Sequence, residues 1–210
     1  MTQYRSVSPQ VSTNGGNGIQ LSGGRLIVPM SLDPSGYQIS CYSDNFGTTW
    51  HGSPGGAAAK FDSPAMGEGD IVELYSSASA TSNATTLLYD IRIASGDPRS
   101  SSAPANPPPK CGNGVTGCRL FYHSTNGGVT WHSPQLRPDL PDPGCKGSII
   151  RWTTPSGKRG IVASNPRSTW KRCNVTLYAS LGDCHMRLPQ YHKIAIRTSC
   201  LILCALCSCR

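Results

Sequence analysis

Ser43-Asp44-Asn45-Phe46-Gly47-Thr48-Thr49-Trp50 returns farther along the chain as Ser124-Thr125-Asn126-Gly127-Gly128-Val129-Thr130-Trp131, with Ser, Asn, Gly, Thr and Trp in one register. An internal repeat held in register marks a chain built from copies of one supersecondary unit. Each copy follows a strand-like run, at 38–42 and 120–123, so each stands where a hairpin should turn. The shared residues suit that turn: Asn can bond its own backbone, Gly can take positive φ, and Thr favours the returning strand. Trp offers a large apolar ring to a neighbouring sheet. Working outward, strands are expected at 25–28, 37–42, 70–75, 85–93, 119–123, 148–152, 160–163 and 175–180, and no segment holds a helical period. The Pro- and Ser-rich stretch 95–110 reads as a protruding loop. The fold class is therefore all-β.

Composition agrees and excludes several classes. The 210 residues include 23 Gly and 17 Pro, and Glu68 and Glu73 are the only glutamates, which rules out coiled coil and favours short strands joined by turns. A formal charge of +8 suits an anionic partner. Nucleic acid and an acidic sugar are two such partners, and the basic residues are scattered without a run of five or an interleaved aromatic stripe, which counts against nucleic acid. Five cysteines, Cys41, Cys111, Cys118, Cys145 and Cys173, are dispersed, while Cys184, Cys200, Cys204, Cys207 and Cys209 crowd the end, and neither set has zinc-site spacing. Cys204-Ala-Leu-Cys207 has redox-motif spacing without a βαβ pattern around it. The start of the chain lacks the apolar run of a signal peptide, and 200–207 is too short for a membrane span. Asn83-Ala84-Thr85 and Asn174-Val175-Thr176 are glycosylation sequons that leave the compartment open.

The repeated octet resembles the Asp-box, or BNR repeat, Ser-x-Asp-x-Gly-x-Thr-Trp, of sialidases (neuraminidases) and related β-propellers, with Asn45 and Asn126 where Asp is usual. Around the boxes, Gly18-Ile19-Gln20-Leu21 and Gly24-Arg25-Leu26-Ile27-Val28-Pro29 are similar to the stretch entering the family's middle blade. Gly144-Cys145-Lys146-Gly147-Ser148 resembles its Gly-Cys-Gln-Gly-Ser segment, and Ser164-Asn165-Pro166 with Trp170-Lys171-Arg172 resembles its later arginine-bearing strand. The resemblance implies a six-bladed β-propeller of sialidase type, of which about three to four blades are expected here. Segment 1–17 would precede the propeller, 18–180 would form it, and 181–210 would be a Cys-rich tail. The implied activity is that of an exo-α-sialidase, a glycoside hydrolase removing terminal α-linked sialic acids from glycoproteins, glycolipids or oligosaccharides without metal or organic cofactor. Non-enzymatic propellers also carry the box, so a carbohydrate-binding or scaffolding propeller is the alternative.

Chemistry then selects candidate residues. A sialic acid is defined by its carboxylate, and a planar, permanently charged guanidinium binds a carboxylate with two parallel donors. The resemblance places two such arginines at Arg92 and Arg172. Sialidases use a Tyr nucleophile, and a phenol needs a base to take its proton. Glu68, in Glu68-Gly69-Asp70-Ile71-Val72-Glu73, matches the family's base, with Glu73 as rival. In the family, the box residues Ser43, Asn45, Gly47, Thr49, Trp50, Ser124, Asn126, Gly128, Thr130 and Trp131 carry structure and not chemistry.

The family's first arginine, its acid/base aspartate and its nucleophilic tyrosine have no counterpart by position, so this chain alone is expected to show little or no turnover. Resemblance stops near 181–184, where a shifted reading frame or mis-joined exon is expected, with a genuine divergent tail as the alternative; reading the nucleotide sequence in the other frames decides it.

Overall fold

The computed structural model describes residues 10–13, 15–33, 37–52, 66–74, 85–93, 117–132, 134–169, 174–181 and 192–194. These contain no helix and form three antiparallel sheets. The first holds β1 (Gln10–Thr13), β2 (Ile19–Gln20), β3 (Leu26–Asp33), β4 (Tyr37–Ser43) and β5 (His51–Gly52), in the order β1-β3-β4-β5 with β2 also on β3. The second holds β6 (Met66–Glu73), β7 (Leu87–Ile93), β8 (Cys118–Ser124) and β9 (Gln135–Pro141), and the third β10 (Ser148–Thr153), β11 (Arg159–Pro166), β12 (Val175–Leu181) and β13 (His192–Ile194); both run in chain order.

All eight expected strands are present. The middle sheet sends alternate residues to opposite faces, as the period of two requires. Ile71, Leu87, Tyr89, Ile91, Leu120 and Tyr122 face one core with Leu21, Ile27 and Trp131. Val72, Leu88 and Phe121 face a second core with Ile149, Ile161 and Tyr178 from the third sheet. A sheet buried on both faces reads as the near-continuous apolar run that β7 shows. The sheets therefore stack face to face in chain order.

Several features lay beyond the sequence reading. Strand β1 pairs with β3, so the first sheet takes in residues of segment 1–17, and β13 pairs with β12 from within 181–210. The expected loop at 95–110 lies outside the described residues. Strand β9 was missed because Pro138 and Pro141 argue against a strand; it is the edge strand of its sheet, where proline is tolerated.

The two octets close β4 to β5 and β8 to β9 with matching geometry. Ser43 Oγ accepts from Gly47 N at 2.9 Å and donates to Asn45 Oδ1 at 3.0 Å, and Asn45 Oδ1 accepts from Thr49 N at 2.8 Å. In the second copy Ser124 Oγ accepts from Gly128 N at 2.8 Å and donates to Asn126 Oδ1 at 2.9 Å, and that oxygen accepts from Thr130 N at 2.9 Å. Asparagine thus supplies the acceptor that the usual aspartate would, and its Nδ2 adds a bond to Thr49 or Thr130. The tryptophans diverge. Trp131 is buried, donates from Nε1 to Ser40 Oγ of the preceding sheet at 3.0 Å, and packs on Tyr89. Trp50 is 40% exposed, because no sheet precedes β1 among the described residues. Arg25 spans the two turns, pairing with Asp44 and donating to Gly127 O.

Candidate functional site

Glu68 sits on an irregularity in β6. The β6–β7 pairing sets Met66 opposite Ile93 and Gly69 opposite Ile91, so Gly67 and Glu68 together face the single residue Arg92. Such a bulge bends the strand and re-aims a side chain. It brings Glu68 Oε2 to 3.0 Å from Arg92 Nε, joining two of the expected site residues. The Nε–H is not aimed at that oxygen and is a buried donor without a hydrogen-bond acceptor. Arg92 Nη1 donates to Gly144 O at 2.6 Å, and these contacts leave Nη2 uncommitted. The guanidinium lies directly over Gly67, where an added Cβ would fall 2.1 Å from Nε. Glycine here is a requirement of space. Gly67 thus leaves open the path that Arg92 occupies.

Glu73 has a different environment. Its carboxylate is 4% exposed, accepts from Ser22 N at 3.0 Å and from Ser22 Oγ, and pairs with Arg151 at 2.9 Å. All three sheets meet at that carboxylate, which is committed to structure. Arg172 lies outside the described residues.

The turn that receives Arg92 is held from beneath by charges the sequence reading did not single out. Arg119 is 1% exposed and reaches Asp90 Oδ1 and Asp142 Oδ2 at 2.6 Å each and the Cys145 carbonyl at 2.8 Å. Asp142 Oδ1 in turn accepts from Gly144 N and Cys145 N at 2.8 Å each. Burial pushes the Asp90 carboxyl above its usual range, against the opposing pull of Arg119. Burial would lower the Arg119 guanidinium, but Asp90 and Asp142 outweigh it and raise it. A charged residue inside the apolar run Cys118-Arg119-Leu120-Phe121 was the available signal, since arginine is buried only when paired.

Two further groups complete the surroundings. Gly15 lies against Glu68, with an added Cβ 3.2 Å from Glu68 Cγ, and Asn17 N donates to Asp70 Oδ1 at 3.1 Å. Lys146 Nζ donates to the Gly15 carbonyl. Four elements thus form a closed ring: β6 with Glu68, β7 with Arg92, the turn 141–147, and the backbone at Gly15. No cluster of three or more His, Cys, Asp or Glu fit for a metal occurs among the described residues, and none of their helices could cross a membrane, there being none. Cys118 is disulfide-bonded.

No protein-family profile matches the chain, and no curated protein sequence is similar to it. Solved structures are. The chain is similar to the intramolecular trans-sialidase of Ruminococcus gnavus, whose structure holds oseltamivir carboxylate, with 23% identity and a TM-score of 0.58 over 88% of this chain and 33% of that one. It is similar to the leech intramolecular trans-sialidase at 23% identity and TM-score 0.57, over 88% of this chain and 24% of the other. The NanB sialidase of Streptococcus pneumoniae gives 19% identity and TM-score 0.56, over 85% and 23%. The chain spans a third or less of these proteins. At such identity the likeness establishes the fold: the three sheets are blades of a sialidase-type β-propeller.

Proposed function

We propose that the Glu68–Arg92 site belongs to an exo-α-sialidase, acting on terminal α-linked sialic acids of glycoconjugates. The observation that carries this reading is the bulge, which sets a carboxylate and a half-buried guanidinium side by side with guanidinium donors left over. Arg92, with Arg172, would clamp the sugar's carboxylate through paired charge-assisted bonds. Glu68 would take the proton from the tyrosine nucleophile. Arg92 beside it would orient the sugar so that the anomeric carbon faces the nucleophile.

Binding tests the clamp. The 210-residue chain should bind N-acetylneuraminic acid and discriminate against its methyl ester, and R92Q should lower affinity for the acid by about tenfold or more. Equal affinity of the wild-type chain for acid and ester would overturn the clamp. A fluorogenic sialoside tests the base: the chain alone should give no turnover, and a catalytically complete protein containing this site should lose turnover with E68Q.

A further inference from the structure

We propose that Lys146 is a second carboxylate-binding cation of the Arg92 site, exchanging the neutral carbonyl of Gly15 for the carboxylate of the ligand. The inference rests on the carboxylate-clamp reading and adds a specificity-determining residue to it.

Three observations carry it. The first is placement. Gly144 accepts from Arg92 Nη1, Lys146 stands two residues farther on the same turn, and its ammonium reaches back to the Gly15 segment that lies against Glu68. Arg92 and Lys146 are thus linked to one ring of contacts, through Gly144 on one side and Gly15 on the other. The second is the quality of the partner Lys146 now has. An ammonium on a neutral, exposed carbonyl makes a weaker bond than an ammonium on a carboxylate, and its three rotatable donors on a flexible stem can meet a ligand without moving backbone. The third is charge. Arg92 and Lys146 are two cations against the single carboxylate of Glu68, while Asp90 and Asp142 outnumber Arg119 by one charge and are buried in bonds to it. A ligand carboxylate would bond the two cations directly. Lysine stands where the resembling family segment has glutamine.

The turn that carries Lys146 is rigid for this purpose. Asp142 fixes the amides of Gly144 and Cys145, and Arg119 holds the Cys145 carbonyl, so the ammonium swings from a fixed base.

Calorimetric titration of the full chain with N-acetylneuraminic acid and with its methyl ester decides the matter, using K146Q, K146R and R92Q. K146Q should weaken the acid about tenfold and flatten the salt dependence of its binding, leave the ester unchanged, and melt at the wild-type temperature, since Lys146 is exposed. K146R should restore most of the affinity. If K146Q binds the acid as the wild type does while R92Q loses it, the role of Lys146 is overturned and the Arg92 clamp stands. If the wild-type chain does not distinguish acid from ester, both fall together. Should K146Q fail to fold, binding of the acid to wild type that is insensitive to salt would overturn the proposal.

Discussion

Gly67 is the residue on which the candidate site turns. A side chain there would have to occupy the volume of the Arg92 guanidinium, with a Cβ 2.1 Å from Nε and 2.8 Å from Cγ. Arginine is flexible, so Gly67→Ala should cost little stability while turning Arg92 away from Gly144 and Glu68. Affinity for a sialic acid should then fall about as far as in R92Q, with the melting temperature nearly unchanged; titration and thermal denaturation measure the two separately. Retained affinity would mean that Arg92 reaches the ligand from another rotamer. Phe46 shows the opposite relation between residue and backbone. It holds φ of 55° where the second copy has Gly127 at 66°, and it is 86% exposed. A left-handed conformation costs a non-glycine residue about 1–2 kcal/mol, while glycine gives back part of that in unfolded-chain entropy. Phe46→Gly should therefore stabilise the chain by about 0.5 kcal/mol in urea unfolding.

Two hairpins of nearly identical internal bonding differ in what surrounds them. Gly47 and Gly128 share φ values of 83° and 84°, so alanine strains both backbones alike. A Cβ on Gly47 would first meet Trp50 at 3.7 Å, an ordinary contact, whereas one on Gly128 would fall 2.3 Å from Ile27 Cδ1 of the first sheet. Gly47→Ala should cost about 1 kcal/mol, the strain alone. Gly128→Ala should cost about 2–4 kcal/mol, since overpacking of a buried contact adds to it. Equal losses in chemical denaturation would show that the inter-sheet contact is soft. The hairpin chemistry was legible in the octets because it is local: every bond in it joins residues no more than four apart. The destination of each tryptophan was not, since it depends on which sheet lies next door.

At the scale of the whole molecule, the middle sheet and its buried ion network join the blades to the site. Arg119 satisfies two carboxylates that are 3% and 0% exposed, and removing it leaves both without their cation. Breaking a buried charge network from one side costs about 3–5 kcal/mol, a large share of a typical domain's stability. Arg119→Met should therefore lower the unfolding midpoint sharply at neutral pH. Burial already raises the Asp90 carboxyl against the pull of Arg119, so without the guanidinium the folded protein holds that proton more tightly than the unfolded chain does, and the variant gains stability as pH falls through the window above the ordinary aspartate range. A deficit that does not shrink at lower pH would show that lost packing dominates over charge. Read alone, the sequence determined that the chain is all-β, where eight strands run, and where two matched hairpins turn, because alternation and turn chemistry are carried by neighbouring residues. It also singled out Glu68 and Arg92 from motif context. Only the tertiary structure put Glu68 beside Arg92 and Glu73 on Ser22 and Arg151, exposed Gly67 as the space for Arg92, and gathered Arg119, Asp142, Gly15 and Lys146 around the pair. The physical reason is register and stacking: one extra residue in β6 decides what faces Arg92 within the sheet, and residues 15 and 146 reach that pair's surroundings only when separate sheets stack.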